Sequence, residues 1–221
     1  MKVVIIGAKN PETRRMIDSI IAAGNPDKME FCGFLDNDKN RHGKDFVGLP
    51  VFGGFELLDQ LIAEGYRFIN TITGSTLVRY ETSKAITAKG GKFTNFIHPS
   101  VNIPEKIGVG NYIQDGVQIQ AAVEIGDNSS IHVSAIIAHE CKVGSSTFIA
   151  HAVSVSGEVT IGDGVFIGTN ASILPKMKIG NWATIGAGTV VLKDVPDYAV
   201  VVGNPGKVLR QNERKYVNGA I

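Results

Sequence analysis

From Val101 to Val191 every sixth residue is Ile or Val, without an insertion or an exception. An α-helix places apolar residues at three- and four-residue steps and a half-buried strand at alternate ones, so a strict six-residue step belongs to neither. It marks a hexapeptide-repeat β-solenoid. The position four residues after each aliphatic is usually small or apolar, as at Val117, Ala135, Cys141, Val153, Ala171 and Ala183. Each hexapeptide therefore turns one branched and one compact side chain inward. Gly follows the aliphatic at 108, 126, 144, 162 and 180, every eighteen residues. Three hexapeptides thus make one coil of a three-sided prism, with a turn glycine expected at one corner of each coil. About five coils follow, stacked at roughly ~4.8 Å. Each rung is covered only by its neighbours, so both ends need caps. The N-terminal region is expected to close one end and the Pro-broken tail from Asp194 the other.

Residues 1–95 read in another period. Val3-Val4-Ile5-Ile6 is a short buried strand ending in Gly7-Ala8-Lys9-Asn10, and Asn10-Pro11 opens a helix running to about Ala22. A strand over Phe31–Leu35 ends in Asp36-Asn37-Asp38. A helix carrying Leu57, Leu58, Leu61 and Ile62 follows, then a strand from Phe68 to Thr73 ending at Gly74-Ser75, then a helix from Thr76 to Ala88. This is a βαβαβ pattern, an α/β Rossmann-like domain that binds ligands beyond the carboxyl ends of its strands. The expected division is 1–95 for the Rossmann-like domain, 96–193 for an all-β parallel β-helix and 194–221 for a C-terminal cap and tail. The full G-x-G-x-x-G fingerprint is absent, which disfavours a redox dinucleotide site. Two readings of the loops stay open. In one, Gly7, Ala8, Lys9, Asp36, Asn37 and Gly74 line a mononucleotide or nucleotide-sugar pocket with phosphate at the helix N-terminus. In the other, Gly7 and Gly74 are ordinary turn glycines and Asp36 caps a loop.

The chain of 221 residues is 43% hydrophobic with a net charge of +1, which argues against disorder and against a nucleic-acid partner. Cys32 and Cys141 lie far apart, and Cys141 falls at an inward solenoid position, so no disulfide framework is expected. No apolar stretch approaches signal-peptide or membrane-spanning length, so the expectation is a cytoplasmic protein with no membrane contact. Three of the five histidines lie on the repeat. His139 and His151 each follow an inward aliphatic by two places and should project outward. His132 sits at a corner-type position beside His151, one coil away. An outward histidine on a flat wall is ordinarily just a surface residue.

The combination of this N-terminal pattern with a hexapeptide coil carrying His139-Glu140-Cys141-Lys142-Val143-Gly144 is similar to one known group. It resembles the bacterial nucleotide-sugar acetyltransferases of the hexapeptide-repeat superfamily, which include N-acetyltransferases of UDP- or GDP-linked amino sugars and the sialic-acid O-acetyltransferases. Phe34-Leu35-Asp36, Gly74 with Arg79, His98-Pro99 and Val202-Gly203-Asn204-Pro205-Gly206-Lys207 carry the resemblance across essentially the whole chain. It implies a left-handed β-helix, a homotrimer with active sites at subunit boundaries, a nucleotide-linked sugar held by the N-terminal domain for surface-glycan synthesis, acetyl-CoA as acyl donor along the wall of the coils, and no metal. His139 matches the catalytic base and Glu140 its acidic neighbour.

By repeat arithmetic Gly157 lies on the wall of His139 one coil further on; it matches a glycine that contacts acetyl-CoA and could present its N–H to the oxyanion. Thr169 and the Gly186-Ala187-Gly188 run match positions lining the donor groove. Lys193 and Lys207 could meet its phosphates, and Trp182 could stack on adenine or sit between subunits. Two departures stand out: Phe148 occupies the place of the group's second histidine, and the loop Gly7–Pro11 lacks a glycine-rich run. The expected reaction is direct transfer to an amino group, with an O-acetyltransferase, a metal-dependent lyase on the same solenoid and a non-catalytic scaffold as alternatives.

Overall fold

The computed structural model describes residues 1–212; the expected tail over 213–221 lies outside the described residues. The N-terminal part is built on β1 (Lys2–Ile6), α1 (Glu12–Ala22), β2 (Glu30–Leu35), β3 (Asp45–Phe46), β4 (Leu49–Gly53), α2 (Leu58–Ala63), β5 (Arg67–Asn70), α3 (Thr76–Ala88) and β6 (Lys92–Phe93). They form a six-stranded sheet in the order β3-β4-β2-β1-β5-β6, parallel except for the β3–β4 hairpin. Val3, Val4, Ile5 and Ile6 are all buried, because helices cover both faces of the central strand.

Three local expectations need correction. The β3–β4 hairpin has no counterpart in the sequence pattern, since its two strands are short and Val47-Gly48 makes the tight left-handed turn between them. The strand expected from Phe68 to Thr73 stops at Asn70. Its side chain bonds Arg79 O and Ser83 Oγ and accepts from the Ile72 N–H, which turns the chain away from the sheet. The leucine-rich helix is a 3₁₀ turn over Phe55–Leu57 followed by only six α-helical residues.

From Phe96 onward the chain winds as a three-sided parallel β-helix. The first face stacks Gln118–Ile119, Ile136–Ile137, Ser154–Val155, Ser172–Ile173 and Val190–Val191, and the second carries five strands from Lys106–Ile107 to Lys178–Ile179. The third runs from Phe96–Ile97 up to the antiparallel hairpin of Ala199–Val202 with Lys207–Gln211, which ends the stack. The six-residue aliphatics and their compact partners fill one continuous core from Val101 to Val201.

The corners are made differently from the expectation. The glycines at 108, 126, 144, 162 and 180 do not have left-handed backbones; an added Cβ at any of them would lie 2.1–2.6 Å from an atom of the coil above. They are required by close stacking of coils. The left-handed residue comes two places later and recurs every six residues at all three corners, including Asn128, Ser134, Glu140, Ser146 and Trp182. Non-glycine residues ordinarily avoid this conformation. Here the N–H of each is held by a carbonyl nineteen residues earlier, in the coil below, as in Glu140 to Ala121 at 3.0 Å and Asn128 to Val109 at 2.8 Å.

Arg79 fastens the α/β part to the coils. It is buried, and its guanidinium donates to the carbonyls of Asn128 and Asn70, each at 2.6 Å, of Gly110 at 3.1 Å, and at longer range of Ile72 and Ser129. Burial lowers its pKa to about 9, so it remains charged at neutral pH. Ser83 Oγ donates to Asn128 Oδ1 beside it. Trp182, expected at a ligand or subunit surface, lies half-buried against Gly164 and meets the Tyr80 ring edge-on at 5.4 Å, between α3 and the coils.

Candidate active site

His139 sits at the corner between the first and second faces, where strand Ile136–Ile137 gives way to the left-handed Glu140. The corner brings two adjacent side chains together: His139 Nδ1 lies 3.0 Å from Glu140 Oε2. An ionised carboxylate can only accept, so this contact places the ring proton on Nδ1 and leaves the Nε2 lone pair free. Both side chains are more than half exposed, at 54% and 63%. From the coil below, Gln120 Oε1 accepts the His139 backbone N–H at 3.0 Å. From the coil above, Gly157 lies against the imidazole, as the eighteen-residue arithmetic requires. The Gly157 N–H has no acceptor among the described residues. Cys141 is fully buried with Sγ directed at Ser156 O, and burial raises its thiol pKa, so it is no nucleophile.

Thr169, Gly186 and Ala187 are not on the His139 corner. They stack at the next corner round the coil, in the column of His151, where Gly188 donates to Thr169 O. The two corners are the edges of the first face, whose outward residues include Ser154 and Ser172. Lys193 and Lys207 are exposed.

His132 is buried rather than at the surface. Its ring centroid lies 4.6 Å from Phe148, 5.0 Å from His151 and 5.8 Å from Tyr112, and Nε2 meets Ser130 Oγ at 2.9 Å. Burial, then His151 and Arg79, depress its pKa to about 3, so the ring is neutral. His151 and Phe148 therefore cluster with His132 and not with His139. No group of three or more His, Cys, Asp or Glu suited to a metal ion exists among the described residues.

At the carboxyl ends of β1, β2 and β5 is a cleft of about 580 Å³, lined by Gly7, Lys9, Asp36, Asn37, Gly74 and Thr82 among others. Ala8 lies behind it, buried, with its N–H donated to Asp36 Oδ2 at 2.9 Å. Asp36 Oδ1 accepts from the Asp38 N–H, so its carboxylate ties two loops together. Gly7 needs its residue type, since its φ is +95°. Ser75 caps α3, accepting from Val78, at the cleft's edge. Missing from the sequence reading are Thr71, Phe55, Val78 and Thr82, which carry no motif and reach the cleft only through the fold.

The cleft's lining includes no residue of the coils, and His139 is not among its lining residues. The α/β part touches the coils through Arg79, Ser83 and Tyr80 at the corner between the second and third faces, and through an Arg15–Asp115 ion pair at the corner between the third and first. None of these contacts reaches the third corner, where His139 stands.

Comparison with known proteins fits this geometry. Residues 158–193 match the family described as bacterial transferase hexapeptide (six repeats). PerB from Caulobacter crescentus, solved in complex with CoA and GDP-perosamine, is 30% identical, with 94% of this chain and 97% of that one covered at a TM-score of 0.82. The chain belongs to the hexapeptide-repeat nucleotide-sugar acetyltransferases. This makes the β-helix left-handed, against the usual hand of parallel crossovers. Another member of the fold, the acetyltransferase domain of PglB from Neisseria gonorrhoeae FA1090 in complex with acetyl coenzyme A, is 28% identical, covering 94% and 98% at a TM-score of 0.81. A serine acetyltransferase of Bacillus pumilus is 67% identical over 33 residues, and this chain spans only 15% of its length.

Proposed function

We propose that the protein transfers the acetyl group of acetyl-CoA to the amine of a nucleotide-linked amino sugar destined for a bacterial surface glycan. The observation that carries this reading is the His139–Glu140 pair, with a free Nε2, beside the unbonded N–H of Gly157. The sugar nitrogen forms its bond to the thioester carbon as Nε2 takes the amine proton, and the Gly157 N–H faces the oxyanion. The C–S bond then breaks, and the proton passes to the departing thiolate. Glu140 stabilises the imidazolium formed between these steps.

Small outward side chains on the first face, between the corner of Gly157 and the corner of Thr169, Gly186 and Ala187, leave room for a thin pantetheine chain. The Rossmann-like part, residues 1–95, holds the nucleotide in the 580 Å³ cleft, with Lys9 and the N-terminus of α1 near phosphate. The α/β part meets its own coils at the two corners that do not carry His139, and in this reading the acceptor held by one subunit reaches His139 of a neighbour in a homotrimer. The half-exposed histidine is sheltered from water only in that assembly. The GDP-perosamine and CoA of the Caulobacter relative support a nucleotide sugar and an acetyl-CoA donor here. Nothing in the described residues requires a membrane: no helix is long and apolar enough to cross one. A cytoplasmic site matches a supply of both substrates.

The test is thiol release from acetyl-CoA with UDP-, GDP- and dTDP-linked amino sugars. Turnover with one of these, and acetyl on nitrogen in the product, is the expected result. Acetylation of a hydroxyl, or no release with any of them, contradicts it.

A further inference from the structure

His139 has a support that none of its hydrogen bonds supplies. A Cβ added to Gly157 would stand 2.6 Å from His139 Nε2, 2.7 Å from Cε1 and 3.2 Å from Cδ2, so the outer edge of the ring rests where any other residue has a side chain. Gly157 does not have a left-handed backbone, so no turn demands glycine there. The left-handed residue of that corner is Glu158, which is not glycine. The absence of a side chain at 157 therefore serves space alone, and the space is filled by the imidazole.

The rest of the residue is held as well. Its N–H is tied to Gln120 in the coil below, its carbonyl accepts from the Glu158 N–H at 2.9 Å, and Nδ1 is tied to Glu140. With backbone and Nδ1 fixed, the remaining freedom is a swing of the ring about its side-chain bonds, and the bare Cα of Gly157 sets where that swing stops.

We infer that Gly157 is a positioning residue for acetyl transfer, a seat that fixes the direction of His139 Nε2. The inference rests on His139 being the base and is distinct from any contact Gly157 makes with the donor. The Gly157→Ala variant suits the test, because its backbone tolerates a Cβ and the atoms in the way are the tip of a flexible side chain. The fold is kept and the ring is displaced. A misplacement of this order lowers kcat by roughly 10- to 100-fold. Michaelis constants for donor and acceptor stay within about twofold, since little binding is altered.

The decisive comparison is a double-mutant cycle. If Gly157 acts through the ring, adding Gly157→Ala to His139→Ala produces no further loss. An undiminished loss in that background means that Gly157 acts on the donor directly and overturns the seat. Full activity of His139→Ala removes the base instead, while the seat is still decided by NMR of the His139 Cε1–H. Its resonance shifts in Gly157→Ala if the ring has moved, and an unshifted resonance refutes the seat whatever the activity.

Discussion

Replacing Arg79 with Met tests how the two parts of the chain are joined. The guanidinium is buried without a carboxylate partner, and its charge is dispersed over backbone carbonyls from both parts: Asn70 and Ile72 on one side, Gly110, Asn128 and Ser129 on the other. Met has similar length and no donors. The Asn70, Asn128 and Gly110 carbonyls, at 2.6, 2.6 and 3.1 Å, would then face an apolar side chain. An unsatisfied buried group costs about 1–3 kcal/mol. Three of them, less the relief of no longer burying a cation, give a loss of about 3 kcal/mol, a large share of a typical domain's stability. The chain's only tryptophan, Trp182, lies at this junction against Tyr80 and reports it directly. In urea, the Trp182 fluorescence of Arg79→Met should change at a lower midpoint than the parent's and ahead of the far-ultraviolet circular dichroism. Arg79→Lys, whose ammonium gathers its three donors on one point, should fall between the two. A Met variant within about 1 kcal/mol of the parent, with coincident transitions, would refute the account of this residue.

Other consequences follow from the same geometry. His132 has a folded pKa of about 3, below its unfolded value of 6.5, so the unfolded chain binds the extra proton. Stability is therefore complete above pH 6.5 and falls as the pH drops toward 3, by up to about 5 kcal/mol; His132→Phe should flatten that slope in urea titrations between pH 7 and 4. Gly144→Ala places a Cβ 2.6 Å from the Gly162 carbonyl carbon, a backbone atom that cannot step aside, and should lower stability by about 1–3 kcal/mol with no loss of secondary-structure type by circular dichroism. Glu140→Gln keeps a polar partner for the ring but not its charge. It should lower kcat by about tenfold in the thiol-release assay, because the imidazolium formed as Nε2 takes the amine proton loses its counter-charge.

Much of the coil can be read directly because a solenoid repeats its environment: residues six apart face the same core, and eighteen apart the same column. That arithmetic puts Gly157 beside His139 and His132 beside His151. It also stacks Tyr112, Ser130 and Phe148, eighteen apart, in one column, but spacing does not say that the His132 ring, two places after Ser130, folds back among them and is covered. A lone periodic glycine reads as a turn, yet the corner glycines answer to close stacking, whereas left-handed positions hold Glu140, Asn128 and Trp182, whose N–H groups are tied to carbonyls of the coil below. Resemblance alone puts Thr169 and Ala187 on a donor groove, and only the fold shows that their column and His139 border one face. The α/β half is legible in its long apolar strands and poorly legible at Asp45–Gly53, where two short strands alternate weakly. Arg79 looks like one more helix residue, since nothing local marks a cation that reaches carbonyls thirty to fifty residues away.

The most direct test of the central claim is kcat for acetyl transfer by His139→Ala, measured by thiol release on the assembled protein against the nucleotide-linked amino sugar that the parent accepts. A positioned base contributes roughly 10²–10⁴-fold, so kcat should fall by that factor while the fold and assembly state remain those of the parent. A variant that turns over at the parent's rate would contradict the account, since no other imidazole stands at that corner among the described residues.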